Sequence, residues 1–188
     1  MNEQLRKHLV EMLTKTIQVL EKREDKDVFQ LKELSEQTIK DASTHQDIDA
    51  VQIAIIIYSL YKVIKDFPED DYQRLYKHLI KAKTNLQRKE FQRYNQNIKS
   101  IFSTIRTCNA KICKADRSKQ YAQEVFHAAR IKKGVSLFKY GLSIGRAAQI
   151  MGLSRWDLMN FIGKTKILEE FPEVSSKKRL SYALKIFS

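Results

Sequence analysis

The sequence contains few of the residues that end helices and form tight turns. Its 188 residues include only 5 glycines and 2 prolines, which leaves few positions for turns. No segment alternates apolar and polar residues over the length of a strand. Hydrophobic residues still make up 43% of the chain, enough to form a packed core and too many for an intrinsically disordered chain. The sequence therefore predicts an all-α fold.

Cysteines and long apolar runs are also scarce. Cys108 and Cys113 match neither the spacing of a zinc site nor a disulfide framework, so we expect reduced, buried thiols. The most apolar stretch, residues 50 to 64, includes Gln52 and Lys62 and is shorter than the roughly 20 residues of a membrane-spanning helix. The N-terminal residues lack the apolar centre of a signal peptide. We therefore predict a cytoplasmic protein that does not cross a membrane.

The positive charge of the chain is concentrated after residue 70. Residues 1 to 70 have a net charge of −4 and residues 71 to 188 a net charge of +17, which together give the total of +13. Between Arg74 and Lys119, 13 basic residues are opposed only by Glu90 and Asp116. This asymmetry favours a polyanionic partner, most often nucleic acid, because neutralised phosphates release counterions. A solvated basic face is the alternative explanation.

Apolar residues at intervals of three and four predict amphipathic helices throughout residues 1 to 133. The first covers residues 2 to 23, and the second ends near Ala42, where "DASTHQDID" is expected to form a turn. Asp47 or Asp49 is suited to cap the buried helix that follows, which Phe67-Pro68 ends. Three more helices follow before residue 134. We expect these helices to form an N-terminal bundle that serves oligomerisation or another interaction.

Two groups of side chains raise the question of metal binding or catalysis. Asp41, His45, Asp47 and Asp49 are metal-ligand types in one turn, but turn and capping roles account for all four, so we predict no metal site. His78 or His127 could transfer protons in a helical nuclease. Solvent exposure on a basic helix is the simpler explanation, and no other catalytic motif occurs. We predict neither enzymatic activity nor a cofactor.

The stretch "SIGRAAQIMGLSRWDLMNFIG", residues 143 to 163, has the spacing of a helix-turn-helix. Ser143 can cap a helix over residues 144 to 151, and Gly152 permits the left-handed backbone that ends it. Ser154 can cap a second helix, with Asp157 in the acidic position of a capping box. The positions expected to face inward are all apolar: Ala147, Met151, Leu153, Leu158 and Phe161. Ala148 is small where the first helix must approach the second closely. A tight corner between packed helices is the alternative interpretation.

In this register the second helix presents polar and aromatic residues to the DNA major groove. Arg155 can bind guanine and Asn160 can bind adenine through paired hydrogen bonds. Ser143 and Ser154 lie at helix N-termini, where phosphates bind. The predicted DNA-binding residues are Ser143, Arg146, Ser154, Arg155, Trp156, Met159, Asn160, Lys164 and Lys166. Because one such motif usually needs a second half-site, we expect a homodimer on double-stranded DNA.

Residues 137 to 167, "LFKYGLSIGRAAQIMGLSRWDLMNFIGKTKI", resemble the helix-turn-helix of prokaryotic antitoxins, especially archaeal ones encoded beside PIN-domain ribonuclease toxins. The matching features are Ser143, Ala147-Ala148, Gly152, "SRWDLM" and "GKTKI". The resemblance implies an autorepressor that also binds a ribonuclease through a C-terminal segment. Here that segment follows Pro172 and carries an apolar stripe: Leu180, Ala183, Leu184 and Phe187. Packing of this stripe on its own domain is the alternative.

These observations divide the chain into three parts. Residues 1 to 133 are predicted to be the helical domain, residues 134 to 168 the helix-turn-helix, and residues 169 to 188 a partner-binding or packing helix. The leading hypothesis is a sequence-specific DNA-binding protein that acts as antitoxin and transcription regulator. The alternative is a helical protein whose basic stretch, residues 74 to 119, binds RNA or an acidic partner while the motif is only structural.

Overall fold

The computed structural model describes residues 3–22, 25–112 and 118–164, and the described residues contain eight α-helices and no strand. The prediction of an all-α fold is therefore confirmed. The helices are α1 (Glu3–Lys22), α2 (Asp25–His45), α3 (Ile48–Val63), α4 (Glu69–Gln87), α5 (Phe91–Ile112), α6 (Ser118–Lys139), α7 (Ile144–Met151) and α8 (Arg155–Lys164). A short 3₁₀ turn, Ile64–Asp66, follows α3.

Helix α3 forms the centre of the core and packs against α1, α2, α5 and α6. Eleven of its sixteen residues are buried, as predicted from the apolar run. The Asp47 side chain caps this helix by accepting a hydrogen bond from the Ala50 N–H, at 3.1 Å. The Ser35 hydroxyl donates to the Ala54 carbonyl at 2.8 Å, which joins α2 to α3. No helix in the described ranges combines the length and apolarity that crossing a bilayer requires.

Helix α2 extends further than the sequence predicted. The predicted end near Ala42 is wrong: the helix continues to His45, and only Gln46 and Asp47 connect it to α3. Most of "DASTHQDID" is therefore helical. Ser43 donates its hydroxyl proton to the Lys40 carbonyl, so its side chain supports the helix instead of starting a turn. Burial of Ala42 and Ser43 against the core outweighs the turn preference of these residues.

Helices α4 and α5 pack together as a hairpin with several exposed basic side chains. Leu75, Leu79 and Ala82 are fully buried on the inner side of α4. Exposed basic side chains lie on the outer sides of the two helices and, at Arg88 and Lys89, in the turn between them. Those on the helices are Arg74, Lys77, Lys81, Arg93, Lys99 and Arg106. This pattern is the amphipathic one that the sequence predicted.

Helix α6 connects this bundle to the two short helices that follow it. It packs against α2, α3 and α5 and also against α7 and α8. Lys133 of α6 is fully buried where this helix packs on α2, and its ammonium donates to Glu36 of α2 at 2.7 Å. Burial lowers the pKa of Lys133, and the Glu36 carboxylate partly offsets that effect. The domain boundary predicted between residues 133 and 134 therefore falls inside a continuous helix.

Candidate nucleic-acid interface

Helices α6, α7 and α8 pack against one another, and Gly152, Leu153 and Ser154 join α7 to α8. The Ser143 hydroxyl accepts a hydrogen bond from the Arg146 N–H at 3.2 Å and so caps α7. Gly152 has φ 62° and ψ 38°, the left-handed conformation that the sequence predicted. The Leu153 N–H then donates back to the Ala148 carbonyl at 2.9 Å, which closes the turn.

Ser154 caps α8 as predicted, but the Asp157 carboxylate accepts from the Ser154 hydroxyl and not from its backbone N–H, as a capping box would require. The Ser154 hydroxyl accepts from the Asp157 N–H at 3.0 Å and donates to the Asp157 carboxylate at 2.7 Å. Both bonds join residues three apart, so this local geometry follows from the sequence alone. The cap fixes the direction in which α8 leaves the turn.

The inner side of α8 packs closely on α6. Leu158 is fully buried, and a Cβ atom added at Gly134 would lie only 3.0 Å from Leu158 Cδ1. The glycine is therefore what allows α8 to approach α6. The sequence predicted that Phe161 faces inward, and this residue is half-buried. Ile162, which was not predicted to face inward, is fully buried. The spacing of four from Leu158 could have identified Ile162.

The outer side of α8 exposes the residues that the sequence predicted to contact bases. The Trp156 side chain is 69% exposed and the Met159 side chain 49% exposed. Asn160 and Lys164 lie in the same exposed region of the helix. Two large apolar side chains three positions apart on a short helix form an apolar surface with amide and ammonium groups beside it. Such a surface can contact base edges and sugars in a groove.

A groove beside this surface lies at the start of α7. It has a volume of about 420 Å³ and is lined by Ser143, Gly145, Arg146, Ala148, Gln149, Leu153 and Arg155. Among the described residues, the lining includes two arginines and no acidic residue. The first N–H groups of α7, those of Ile144 and Gly145, have no acceptor among the described residues, as is usual at a helix N-terminus.

The two arginines of this groove are positioned differently. Arg146 donates through Nε to Gln46 and through Nη1 to Gln149, each at 2.9 Å. These two bonds orient its guanidinium, and Nη2 can still donate to a ligand. Arg155 instead lies across the first turn of α7: a Cβ added at Gly145 would be 3.1 Å from Arg155 Nε. Its predicted contact to guanine stays a prediction, and this position favours a phosphate contact instead. The sequence did not predict that Gln46 and Gly145 contact these arginines, because both contacts join different helices or turns.

The other candidate residues are dispersed over the molecule. The Asp41 carboxylate lies 2.6 Å from His8 Nε2, and Asp47 caps α3. The described residues contain no group of three potential metal ligands. His78 Nδ1 lies 3.4 Å from the side-chain amide oxygen of Asn97, and His127 is exposed on α6. Several candidates lie outside the described residues: Cys113, Lys166 and the stripe Leu180, Ala183, Leu184 and Phe187.

No protein-family model matches the chain, and neither the curated proteins nor the solved structures include a significant match.

Proposed function

We propose that the chain is a DNA-binding protein in which α8 enters the major groove and the start of α7 binds a backbone phosphate. The observation that supports this proposal is the groove beside α8. Arg146, Arg155 and the free N–H groups of α7 converge there without a carboxylate in the lining. This combination of donors and positive charge suits a phosphate.

The position of Arg155 beside the start of α7 suits the binding of an anion. The N-terminus of α7 carries partial positive charge, and a guanidinium beside it is repelled. A phosphate between the two would interact favourably with both, and the cationic side chain would then stabilise the complex. Glycine at position 145 leaves the space that the guanidinium occupies. The groove is therefore suited to a phosphate that fixes α8 in its orientation on the duplex.

The exposed surface of α8 supplies the groups that distinguish base pairs. The Asn160 amide can donate to and accept from adenine at the same time, and Met159 offers an apolar contact to a thymine methyl group. Trp156 adds a large exposed ring next to these residues. Phosphate contacts by the α7 groove and base contacts by α8 are the division of roles that helix-turn-helix proteins use.

In its more specific form, the proposal makes the chain a homodimeric autorepressor in the cytoplasm, without catalytic activity of its own. This form is supported by the resemblance of residues 137 to 167 to PIN-associated antitoxins and by the need for two half-sites. It names the DNA upstream of the chain's own gene as the operator. It also names a PIN-domain ribonuclease as the protein partner.

A titration with DNA tests the proposed function, because Trp156 is the only tryptophan and reports directly on α8. Adding the fragment upstream of its own gene should quench the emission of the exposed ring, with two chains bound per fragment. Asn160→Ala should weaken binding to this fragment by roughly tenfold, since a lost base contact costs about 1–3 kcal/mol. Its affinity for DNA of scrambled sequence should not change.

The matched control removes charge elsewhere. Lys77→Gln with Lys81→Gln alters two exposed residues of α4 and should leave the affinity for the upstream fragment nearly unchanged. A large loss in this control, with no effect of Asn160→Ala, would instead favour the basic stretch of residues 74 to 119 as the nucleic-acid surface. Unchanged tryptophan emission together with no binding in a gel shift would refute the proposed function.

The proposed ribonuclease partner requires a separate test. The full chain, mixed in equal amounts with a PIN-domain ribonuclease encoded beside it, should abolish RNA cleavage. Leu184→Asp should restore cleavage, because it places a charge in the predicted apolar stripe of the C-terminal segment. Asn160→Ala is the control and should inhibit as well as the unaltered chain. Full cleavage in the presence of the unaltered chain would contradict this partner.

A further inference from the structure

We propose that a second groove, between the helical bundle and the helix-turn-helix, binds a small aliphatic carboxylate. The groove has a volume of about 510 Å³ and is formed by α3, α5, α6 and the last turn of α7. This volume lies in the range of about 300–1,000 Å³ that is typical of small-molecule sites. A groove of this size holds a single small molecule.

Part of the inner surface of the groove is apolar, and Gln52, Ser103 and Gln149 add polar groups to the lining. The main apolar contributors are Val51, Ile55, Phe102, Phe126 and Met151. The rings of Phe102 and Phe126 pack against each other with their centroids 5.4 Å apart, so α5 and α6 together form one apolar wall. An aliphatic chain placed along this wall would remove apolar surface from water, and this removal is the main source of affinity for such ligands.

Three cations lie around the same groove. They are Lys99 and Arg106 of α5 and Arg130 of α6, and all three side chains are exposed. None is paired with a carboxylate among the side chains that the structure describes, and the lining contains no acid. The guanidinium of Arg106 lies 5.9 Å from the centroid of the Phe126 ring, which places positive charge directly at the edge of the apolar wall. An apolar wall with unpaired cations at its edge is complementary to an aliphatic chain that ends in a carboxylate.

Charge also decides against the chain's own C-terminal segment as the occupant. Residues 174 to 188 combine apolar residues with four basic ones and no acidic residue. The three cations of the groove would repel this segment. An anionic ligand has the opposite, favourable interaction with the same residues.

The groove also connects the bundle to the proposed DNA-binding surface. Gln149, Met151 and Gly152, at the end of α7 and in the turn before α8, form one of its walls. A ligand that occupies the groove would therefore contact the turn that orients α8, and we expect it to change the affinity for DNA. This coupling rests on the proposed function, whereas binding of the carboxylate itself does not.

Calorimetric titration of the full chain with decanoate tests the site. Decanoate should bind with one site per chain, and decanol, which lacks the charge, should bind at least about tenfold more weakly, since a charge-assisted hydrogen bond is lost. Arg106→Gln with Arg130→Gln should cause a similar loss. Ser103→Trp, which places a bulky ring at an exposed position in the lining, should abolish binding.

The matched control is again Lys77→Gln with Lys81→Gln, which removes two charges from α4 and should leave decanoate binding unchanged. No heat of binding with decanoate would overturn the proposed site. Equal affinity for decanol, or an unchanged affinity in the double arginine variant, would overturn the anionic ligand class. A chain that binds decanoate but not DNA would support the carboxylate site and refute the proposed function. A chain that binds DNA but not decanoate would support the proposed function and refute the carboxylate site.

Discussion

Replacement of Glu36 by alanine is expected to lower the free energy of unfolding by about 3 kcal/mol. The Lys133 side chain is fully buried, and Glu36 accepts a hydrogen bond from its ammonium at 2.7 Å. Removal of the carboxylate leaves a buried charge without its partner, and breaking a buried pair in this way typically costs about 3–5 kcal/mol. Glu36 also accepts from the Ser136 hydroxyl at 3.2 Å, so α6 would lose two contacts to α2.

Removal of the other partner should have a much smaller effect. Glu36 is 42% exposed, so water can hydrate its carboxylate when Lys133 is replaced. Lys133→Met keeps most of the buried volume and no longer requires desolvation of an ammonium. We therefore expect a change of less than about 1 kcal/mol. Urea unfolding of the two variants measures both values.

The pH dependence distinguishes this explanation from a simple loss of packing. Burial lowers the pKa of Lys133, so between that lowered pKa and the ordinary one the unfolded chain binds more protons than the folded chain. Stability therefore increases as the pH rises through this window. Loss of Glu36, which raises the pKa of Lys133, lowers that pKa further, so the deficit of Glu36→Ala should shrink as the pH rises from the pKa in the variant to the pKa in the unaltered chain. Equal losses in both variants at every pH would contradict an asymmetric ion pair.

Replacement of both Arg146 and Arg155 by alanine is expected to weaken DNA binding by about 100-fold. Each arginine lies in the groove at the start of α7, and each charged contact to a phosphate is worth about 1.5–3 kcal/mol. The loss should be the same for the upstream fragment and for DNA of scrambled sequence, because phosphates carry no sequence information. The logarithm of the affinity should also fall less steeply with salt, with a slope smaller by about 2.

Fluorescence anisotropy with labelled DNA over a series of salt concentrations measures both quantities. Lys77→Gln with Lys81→Gln is the control, since it removes the same charge from the exposed side of α4. A loss restricted to the upstream fragment would show that Arg155 contacts a base, as the sequence first suggested. Thermal unfolding checks that Arg146→Ala, which removes the hydrogen bond to Gln46, leaves the fold intact.

Packing of α7 and α8 on α6, and of α7 on α3, attaches the helix-turn-helix to the bundle, and two polar contacts add to this packing. Arg146 of α7 donates to Gln46, in the turn between α2 and α3, and Lys133 of α6 donates to Glu36. Both join residues about a hundred positions apart: Glu36 lies at the middle of α2, and Gln46 lies in the turn that follows α2. The small module therefore has a defined position on the helical domain and is not a separate unit on a flexible linker. This attachment is what would allow a ligand in the second groove to affect α8.

Local structure of the candidate site could be predicted from the sequence. Ser143, Gly152 and Ser154 act on backbone groups within a few residues, so their side-chain chemistry and spacing suffice to define the caps and the turn. The apolar run of α3 likewise predicts a buried helix, because a helix of sixteen residues that is apolar on nearly all sides is stable only inside the core. The end of α2 was predicted wrongly, since burial of Ala42 and Ser43 is a tertiary effect.

Only the tertiary structure decided which charges meet. Arg155 lies over Gly145, and Arg146 is fixed by Gln46, because the packing of α6, α7 and α8 on the bundle brings these residues together. Lys133 is indistinguishable from its neighbour Lys132 in the sequence, yet packing buries one and exposes the other. The sequence by itself determined the helices, the turn and the exposed residues of α8. The position of each charge relative to the others depends on contacts between distant segments, for which no local pattern exists.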